Sequence, residues 1–141
     1  MTSDTHGGVR HIQPAFVDAR GTIADILERE PIDSVTLITS HRGAVRGNHY
    51  HNDTVQWVYV VHGRMRITTQ MPGHEPSGAI LSQGDLIRNA AGERHAMRAL
   101  EDTTFLVLTR GPRSGAGYEA DTYRLNGSDL LETDDLASPG E

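Results

Sequence analysis

The 141-residue chain contains no cysteine and no lysine. Without cysteine there can be no disulfide, no thiolate metal ligand and no sulfur nucleophile. Without lysine there is no Schiff-base chemistry, and therefore no pyridoxal phosphate held on a lysine. All 13 basic residues are arginine. No apolar run is long enough to span a bilayer, and the polar segment Met1–Gly8 lacks the pattern of a signal peptide. A cytoplasmic protein with no membrane partner is the expectation. The formal charge of −6 misleads, because residues 126–141 carry Asp129, Glu132, Asp134, Asp135 and Glu141 with no basic partner. Residues 1–125 hold 14 acids against 13 arginines, a near-neutral body with no nucleic-acid footprint. By composition the acidic tail reads as a solvated end.

The length suits one domain. The chain is punctuated by 15 glycines and reads as short strands separated by turns. Asp18-Ala19-Arg20-Gly21 predicts a turn joining an early strand to one over Thr22–Leu27. Further strands are expected over Val35–Thr39, Val55–Val61, Arg64–Gln70, Ala79–Leu81, Gly84–Arg88, His95–Leu100 and Thr104–Thr109, with an edge strand over Asp121–Leu125. His62-Gly63 marks a tight turn, and 111–117 reads as a surface loop. Helical spacing is confined to Ile23–Glu30 and Ser128–Leu136. Many short strands with glycine-rich turns suit a sandwich or barrel. In Val55–Val61, Gln56, Val58 and Val60 share one face, while Trp57, Tyr59 and Val61 share the other. With Gln56 turned inward, an aromatic strip faces outward and calls for a cover, either a second sheet or a second subunit.

The residues with chemistry to offer lie in Arg46-Gly47-Asn48-His49-Tyr50-His51, with Gln56 and His95 further on. On a strand, residues two apart point to the same face, so His49 and His51 present both imidazoles together. A single strand histidine is more often a surface or polar-tipped core residue than a ligand. Three histidines and a glutamine in register with flanking glycines read as a metal cage. Neutral imidazoles suit Fe, Zn, Ni and Co, and Mn remains a candidate. Three histidines and a neutral amide leave the dipositive charge uncancelled, which weakens binding and strengthens Lewis acidity relative to a glutamate at position 56. His6, His11 and His74 read as solvated, and His41 and His62 as turn residues. Asp53, Glu93 and Arg94 read as loop surface, and Asp85 as a structural turn residue.

Arg46 to Gly63 resembles the first motif of the cupin superfamily, in which a glycine precedes His-x-His, a glutamate follows, and a further glycine closes the segment. Gln56 stands at the glutamate position. Gly84, Gly92 and His95 are similar to the second motif, with Ala90 where proline is usual. The resemblance covers residues 34–110. It implies an all-β, single-domain jelly-roll barrel over residues 1–125, with residues 126–141 as a tail, and one divalent metal on His49, His51, Gln56 and His95. A narrower resemblance lies in Arg46-Gly47-Asn48-His49-Tyr50, together with Asp18-Ala19-Arg20-Gly21. These look like the signatures of cupins that act on nucleotide sugars: 3,5-epimerases, 3,4-ketoisomerases and the cupin domain of capsular-polysaccharide enzymes. In that group a histidine at the His49 position can serve as a base, and the nearby arginine can meet substrate phosphate. The metal-free epimerases carry glutamine where this chain has His51.

The leading expectation is a homodimeric, metal-dependent enzyme that isomerises or epimerises a small ketosugar-like substrate, or carries out a related lyase step, with Arg46 as the anion contact. An iron-dependent dioxygenase is the alternative enzyme class. A non-catalytic cupin that binds a small ligand or metal is the alternative outside enzymes.

Overall fold

The structure, a computed structural model, describes residues 8–113 and 115–133. Twelve strands are present among them: β1 (Val9–His11), β2 (Phe16–Asp18), β3 (Gly21–Ile23), β4 (Ser34–Ser40), β5 (Val45–Tyr50), β6 (Val55–His62), β7 (Arg64–Gln70), β8 (Ser77–Ser82), β9 (Asp85–Asn89), β10 (Arg94–Ala99), β11 (Thr103–Arg110) and β12 (Tyr123–Arg124). One sheet has the order β1-β9-β6-β11-β4 and a second has the order β12-β5-β10-β7-β8. Every pairing is antiparallel. This is the all-β jelly roll of a cupin.

Alternation along the strands builds the core. Val58 and Val60 of β6, Phe105 and Val107 of β11, and Ile87 of β9 meet Met65 and Ile67 of β7, Leu81 of β8 and Met97 of β10. Enclosing these apolar side chains between two sheets supplies the main driving force for the fold, about 1.5–3 kcal/mol for each large one fully buried. The β6–β7 turn depends on Gly63, whose φ is +97°; a Cβ there would come within 2.5 Å of the Asp102 carbonyl oxygen.

Six of the expected strands appear within one or two residues at each end, and Arg64–Gln70 matches β7 throughout. The Asp18–Gly21 turn joins β2 to β3 and is pinned by the Arg20 guanidinium, 2.6 Å from Asp18 Oδ2. β12 pairs with β5 at the edge of its sheet, as its position after the barrel strands suggested. Other expectations are corrected. The strand expected over Thr22–Leu27 stops at Ile23, and Ile23–Glu30 is not a helix. β1 is an additional edge strand, paired with β9. Of the loop expected over 111–117, residues 111–113 are loop, but Gly115–Gly117 open α1 (Gly115–Ala120). Only a 3-10 turn over Gly127–Asp129 occupies the second helix-like segment, whose remainder from residue 134 lies outside the described residues.

Trp57 is not an exposed strip residue. It is only 2% exposed, covered within the chain by Arg88 and Arg110, whose guanidinium carbons lie 5.9 and 5.3 Å from its ring centre. The acidic tail begins exposed over residues 126–130, as expected, but it does not stay so. Glu132 is buried and accepts from Arg66 Nε at 2.7 Å and from Thr68 Oγ1 at 2.8 Å. The Asn48 side-chain oxygen accepts from the backbone N–H groups of Leu131 and Glu132, while its amide donates to the Glu132 carbonyl. Burial would raise the Glu132 carboxyl, but the bonds from Arg66 and Thr68 hold it below the usual carboxylate range.

Candidate functional site

β5 and β10 lie side by side with His49 opposite His95, and the register shifts at His95–Ala96. Gly47 permits this close approach. Its φ is +92°, and a Cβ there would lie 2.9 Å from the His95 carbonyl oxygen and 3.2 Å from the Ala96 Cα. Asn48 follows in the left-handed region at φ 56°, where asparagine is among the few tolerated residues. The irregular backbone at Gly47–Asn48 thus sets His49 and, past the end of β5, His51 toward His95.

The three imidazoles converge. Each offers a ring nitrogen, and these nitrogens all lie within 4.8 Å of one another. The ring centres are 4.7 Å apart for His49–His51, 4.7 Å for His49–His95 and 5.7 Å for His51–His95. His51 Nδ1 donates to the Asp121 carbonyl at 3.0 Å, and His95 Nδ1 donates to the Glu93 carbonyl at 3.3 Å. Those bonds fix the tautomer and leave Nε2 of each ring as a lone-pair donor. His51 Nε2 is fully buried with no partner. A buried acceptor nitrogen with no donor, beside two further imidazoles, fits a cation.

Charge considerations agree. Burial, followed by the neighbouring His95 and His51, pushes His49 down to about 3. Burial and then His51 push His95 down to about 4, and burial also lowers His51. All three are therefore neutral at pH 7, the form that ligates metals. Asp121 stabilises the surrounding loop. Its carboxylate accepts from Asn52 N, Asp53 N and Thr54 Oγ1, bonds that hold it below the carboxylate range against the opposing effect of burial.

Above the imidazoles is a cavity of about 170 Å³ lined by His49, His95, Gln56, Arg46, Arg113 and Tyr118, with Val58, Met97 and Val107 as its apolar wall. Gln56 is 8% exposed and reaches this cavity from β6, on the sheet opposite the histidine strands. Arg46 is at the rim, held by Ser40 Oγ at 2.8 Å and the Thr39 carbonyl at 2.9 Å. A hollow of about 270 Å³ near the β7–β8 loop, lined by Gln70, His74, Glu75 and Ser77, includes none of the three imidazoles. The cavity above the histidines is the chemically equipped one.

The structure thus brings His49, His51 and His95 together and places Gln56 and Arg46 at the same cavity. Tyr50 points away, stacked on Tyr123 at 5.0 Å. Asp85 accepts from His11 and from the Ser82 backbone, a structural role. Glu93 is not loop surface. It is 1% exposed, and its carboxylate accepts from the Ala90 N–H. Sequence reasoning missed Tyr118 and Arg113. Tyr118 lies 5.4 Å from His51, and the Arg113 guanidinium covers the Tyr118 ring at 5.2 Å. Both sit on or beside α1, in a glycine-rich stretch with no periodicity to flag it.

No curated protein matches the chain. Solved structures do resemble it in fold. A dTDP-4-dehydrorhamnose 3,5-epimerase from Sulfolobus tokodaii is 17% identical, with a TM-score of 0.69 over 82% of this chain and 74% of that one. A 3,4-ketoisomerase from Helicobacter canadensis is 19% identical, with a TM-score of 0.71 over 82% and 88%. A 3'-monoepimerase from Streptomyces bikiniensis in complex with dTDP-quinovose is 18% identical, with a TM-score of 0.72 over 84% and 69%. The described residues contain no helix long and apolar enough to cross a membrane. The polysaccharide biosynthesis C-terminal domain family matches residues 16–108, most of the barrel and both histidine motifs, and the chain belongs to that family.

Proposed function

We propose that the protein is a metal-dependent sugar isomerase or epimerase, acting on an anionic, ketosugar-like substrate of the nucleotide-sugar class. The observation that carries this reading is the cluster of three neutral imidazoles, two of which, His49 and His95, line a cavity shared with Arg46 and Arg113. His49, His51 and His95 would hold one divalent transition metal, with Gln56 on the facing wall. When bound, such an ion supplies a Lewis acid that polarises a substrate carbonyl.

The remaining tasks fall to the chain itself. Arg46 and Arg113 present planar donors suited to phosphate or carboxylate. Val58, Met97 and Val107 exclude water from the inner wall. Among the titratable groups lining this cavity, Tyr118 is the only one that is neither an imidazole nor a guanidinium, so it is the candidate to hand a proton to or from a carbon beside the carbonyl. A metal-free mechanism with His49 as base fits less well. An imidazole pushed down to about 3 is a weak base at neutral pH. Fold neighbours named as sugar epimerases and ketoisomerases support the substrate class.

The test is proton exchange beside the carbonyl of dTDP-4-keto-6-deoxyglucose, followed by NMR in deuterated buffer with Fe, Ni, Co, Zn or Mn supplied. Metal-dependent exchange is expected. No exchange with this or related nucleotide ketosugars, alongside metal-dependent oxygen uptake with another substrate, would shift the assignment to a dioxygenase. Tight ligand binding without turnover would make the protein a binder.

A further inference from the structure

Gln56 differs from the three histidines in one respect. Its amide has two unlike ends, and only the oxygen can face a cation. Its neighbours across the sheet bear on which end is turned inward. Gln56 is paired with Asn89 on β9 and with Thr109 on β11, and Thr109 is paired in turn with Ser34 on β4. By alternation these four side chains form one rung on the inner face of the sheet, next to the apolar rung of Val107, Val58 and Ile87.

Asn89 is 2% exposed and Thr109 is 0% exposed. Both ends of the Asn89 amide and the Thr109 and Ser34 hydroxyls are buried without a partner. Unpartnered buried polar groups are rare and need an explanation. Directly paired side chains on one face of a sheet stand about 4.5–5.5 Å apart at Cβ, within reach of a glutamine amide. The carbonyl of Asn89 and the hydroxyl of Thr109 are both acceptors, and they flank Gln56 on either side.

Neither of these acceptors is bonded to Gln56 in this structure, and we infer that, when a cation engages Oε1, Asn89 and Thr109 act as positioning residues that receive the Nε2 end of the Gln56 amide and keep Oε1 facing His49, His51 and His95. The two N–H bonds of Nε2 match the two flanking acceptors. Two of the rung's orphaned atoms, Asn89 Oδ1 and Thr109 Oγ1, thereby acquire a purpose, which is to select the oxygen end of an otherwise ambiguous ligand. The inference rests on the metal reading above.

The experiment measures Co2+ and Zn2+ affinity of the full chain, with the visible cobalt spectrum as readout. Asn89→Leu and Thr109→Val should each weaken binding about tenfold, the lower range for groups that orient a ligand. Thr109→Ser, which keeps the hydroxyl, should bind like the unaltered chain. A glutamate has no wrong end, so in a Gln56→Glu background Asn89→Leu and Thr109→Val should change affinity less than about twofold. Equal losses in both backgrounds would reduce the rung to a structural role and overturn the inference, as would no loss in either. If Asn89→Leu does not fold, the Thr109→Val and Thr109→Ser pair decides. If the unaltered chain binds neither ion, the metal reading falls, and the orientation is judged on the Gln56 side-chain amide protons by NMR. Slow exchange that becomes fast in Thr109→Val supports it, and unchanged shifts and exchange overturn it.

Discussion

His51 and Asp121, 70 residues apart in sequence, are joined by a 3.0 Å hydrogen bond from the imidazole Nδ1 to the Asp121 backbone carbonyl. The same aspartate's carboxylate ties down the backbone of Asn52 and Asp53 and the hydroxyl of Thr54. One residue after α1 therefore fixes both the ring orientation of His51 and the loop that carries it. Replacing Asp121→Ala should cost roughly 2–4 kcal/mol of stability, since three donors lose a charged acceptor. It should also lower Co2+ affinity by about tenfold through misorientation of His51. Urea unfolding and a cobalt titration check the two effects separately. A destabilised chain with unaltered cobalt affinity would mean that the loop needs Asp121 and His51 does not.

Acid should destabilise the metal-free protein in a defined window. His49 and His95 are lowered from 6.5 to about 3 and about 4 by burial first and neighbouring imidazoles second. In the unfolded chain they bind protons below about pH 6.5, whereas the folded chain resists protonation there. Stability is thus fully present above pH 6.5 and is lost as pH falls from 6.5 toward 4. His95 alone accounts for about 3 kcal/mol of that loss. Denaturant unfolding at several pH values gives the slope directly. His95→Gln should flatten it, and an unaltered slope in that variant would assign the acid sensitivity elsewhere.

Arg46 is tethered at the rim by two neutral acceptors, Ser40 Oγ and the Thr39 carbonyl, which leave its charge uncancelled for an anion. Arg46→Ala should weaken binding of TDP, the nucleotide part of the expected substrate, by about 1.5–3 kcal/mol. His95→Ala should instead abolish turnover through loss of metal while leaving TDP affinity nearly intact. Isothermal titration of TDP into both variants separates anion recognition from metal chemistry. Equal TDP affinity for Arg46→Ala and the unaltered chain would return Arg46 to a surface role.

The sequence disclosed most where a side chain's partner lies two residues away or at a fixed turn spacing. His49 and His51 were legible as a same-face pair because strand geometry has a strict period of two. The β7 strand was legible because polar and apolar residues alternate from Arg64 through Thr68. The sequence was less informative where the partner is distant. Trp57 looked exposed because nothing local announces that Arg88 and Arg110 lie across its ring. Glu132 looked solvated because Arg66 and Thr68, its partners, are 64 or more residues upstream. Tyr118 and Arg113 lacked any signal, since a six-residue helix containing Gly115 and Gly117 has no apolar stripe.

Burial of Trp57 removes the contact first expected for a dimer, but another outward apolar face remains. On the outer face of β4, Val35 and Leu37 are 60% and 65% exposed. They are paired with Leu108 and Leu106 of β11, and Leu106 is paired in turn with Tyr59 of β6. The separate β2–β3 hairpin also exposes Phe16, Val17 and Ile23, at 51%, 64% and 58%. A lone two-stranded hairpin is marginal in water, and scattered apolar residues are ordinary, but a contiguous cross-strand apolar row is not. A second copy of the chain is the expected cover, since a self-complementary patch favours a two-fold pair. Light scattering should give a dimer at micromolar concentration, and the double substitution Val35→Asp with Leu37→Asp should shift it to monomer without loss of folded β structure. A dimer that survives both aspartates would place the interface elsewhere, and a monomeric unaltered chain would leave this face exposed.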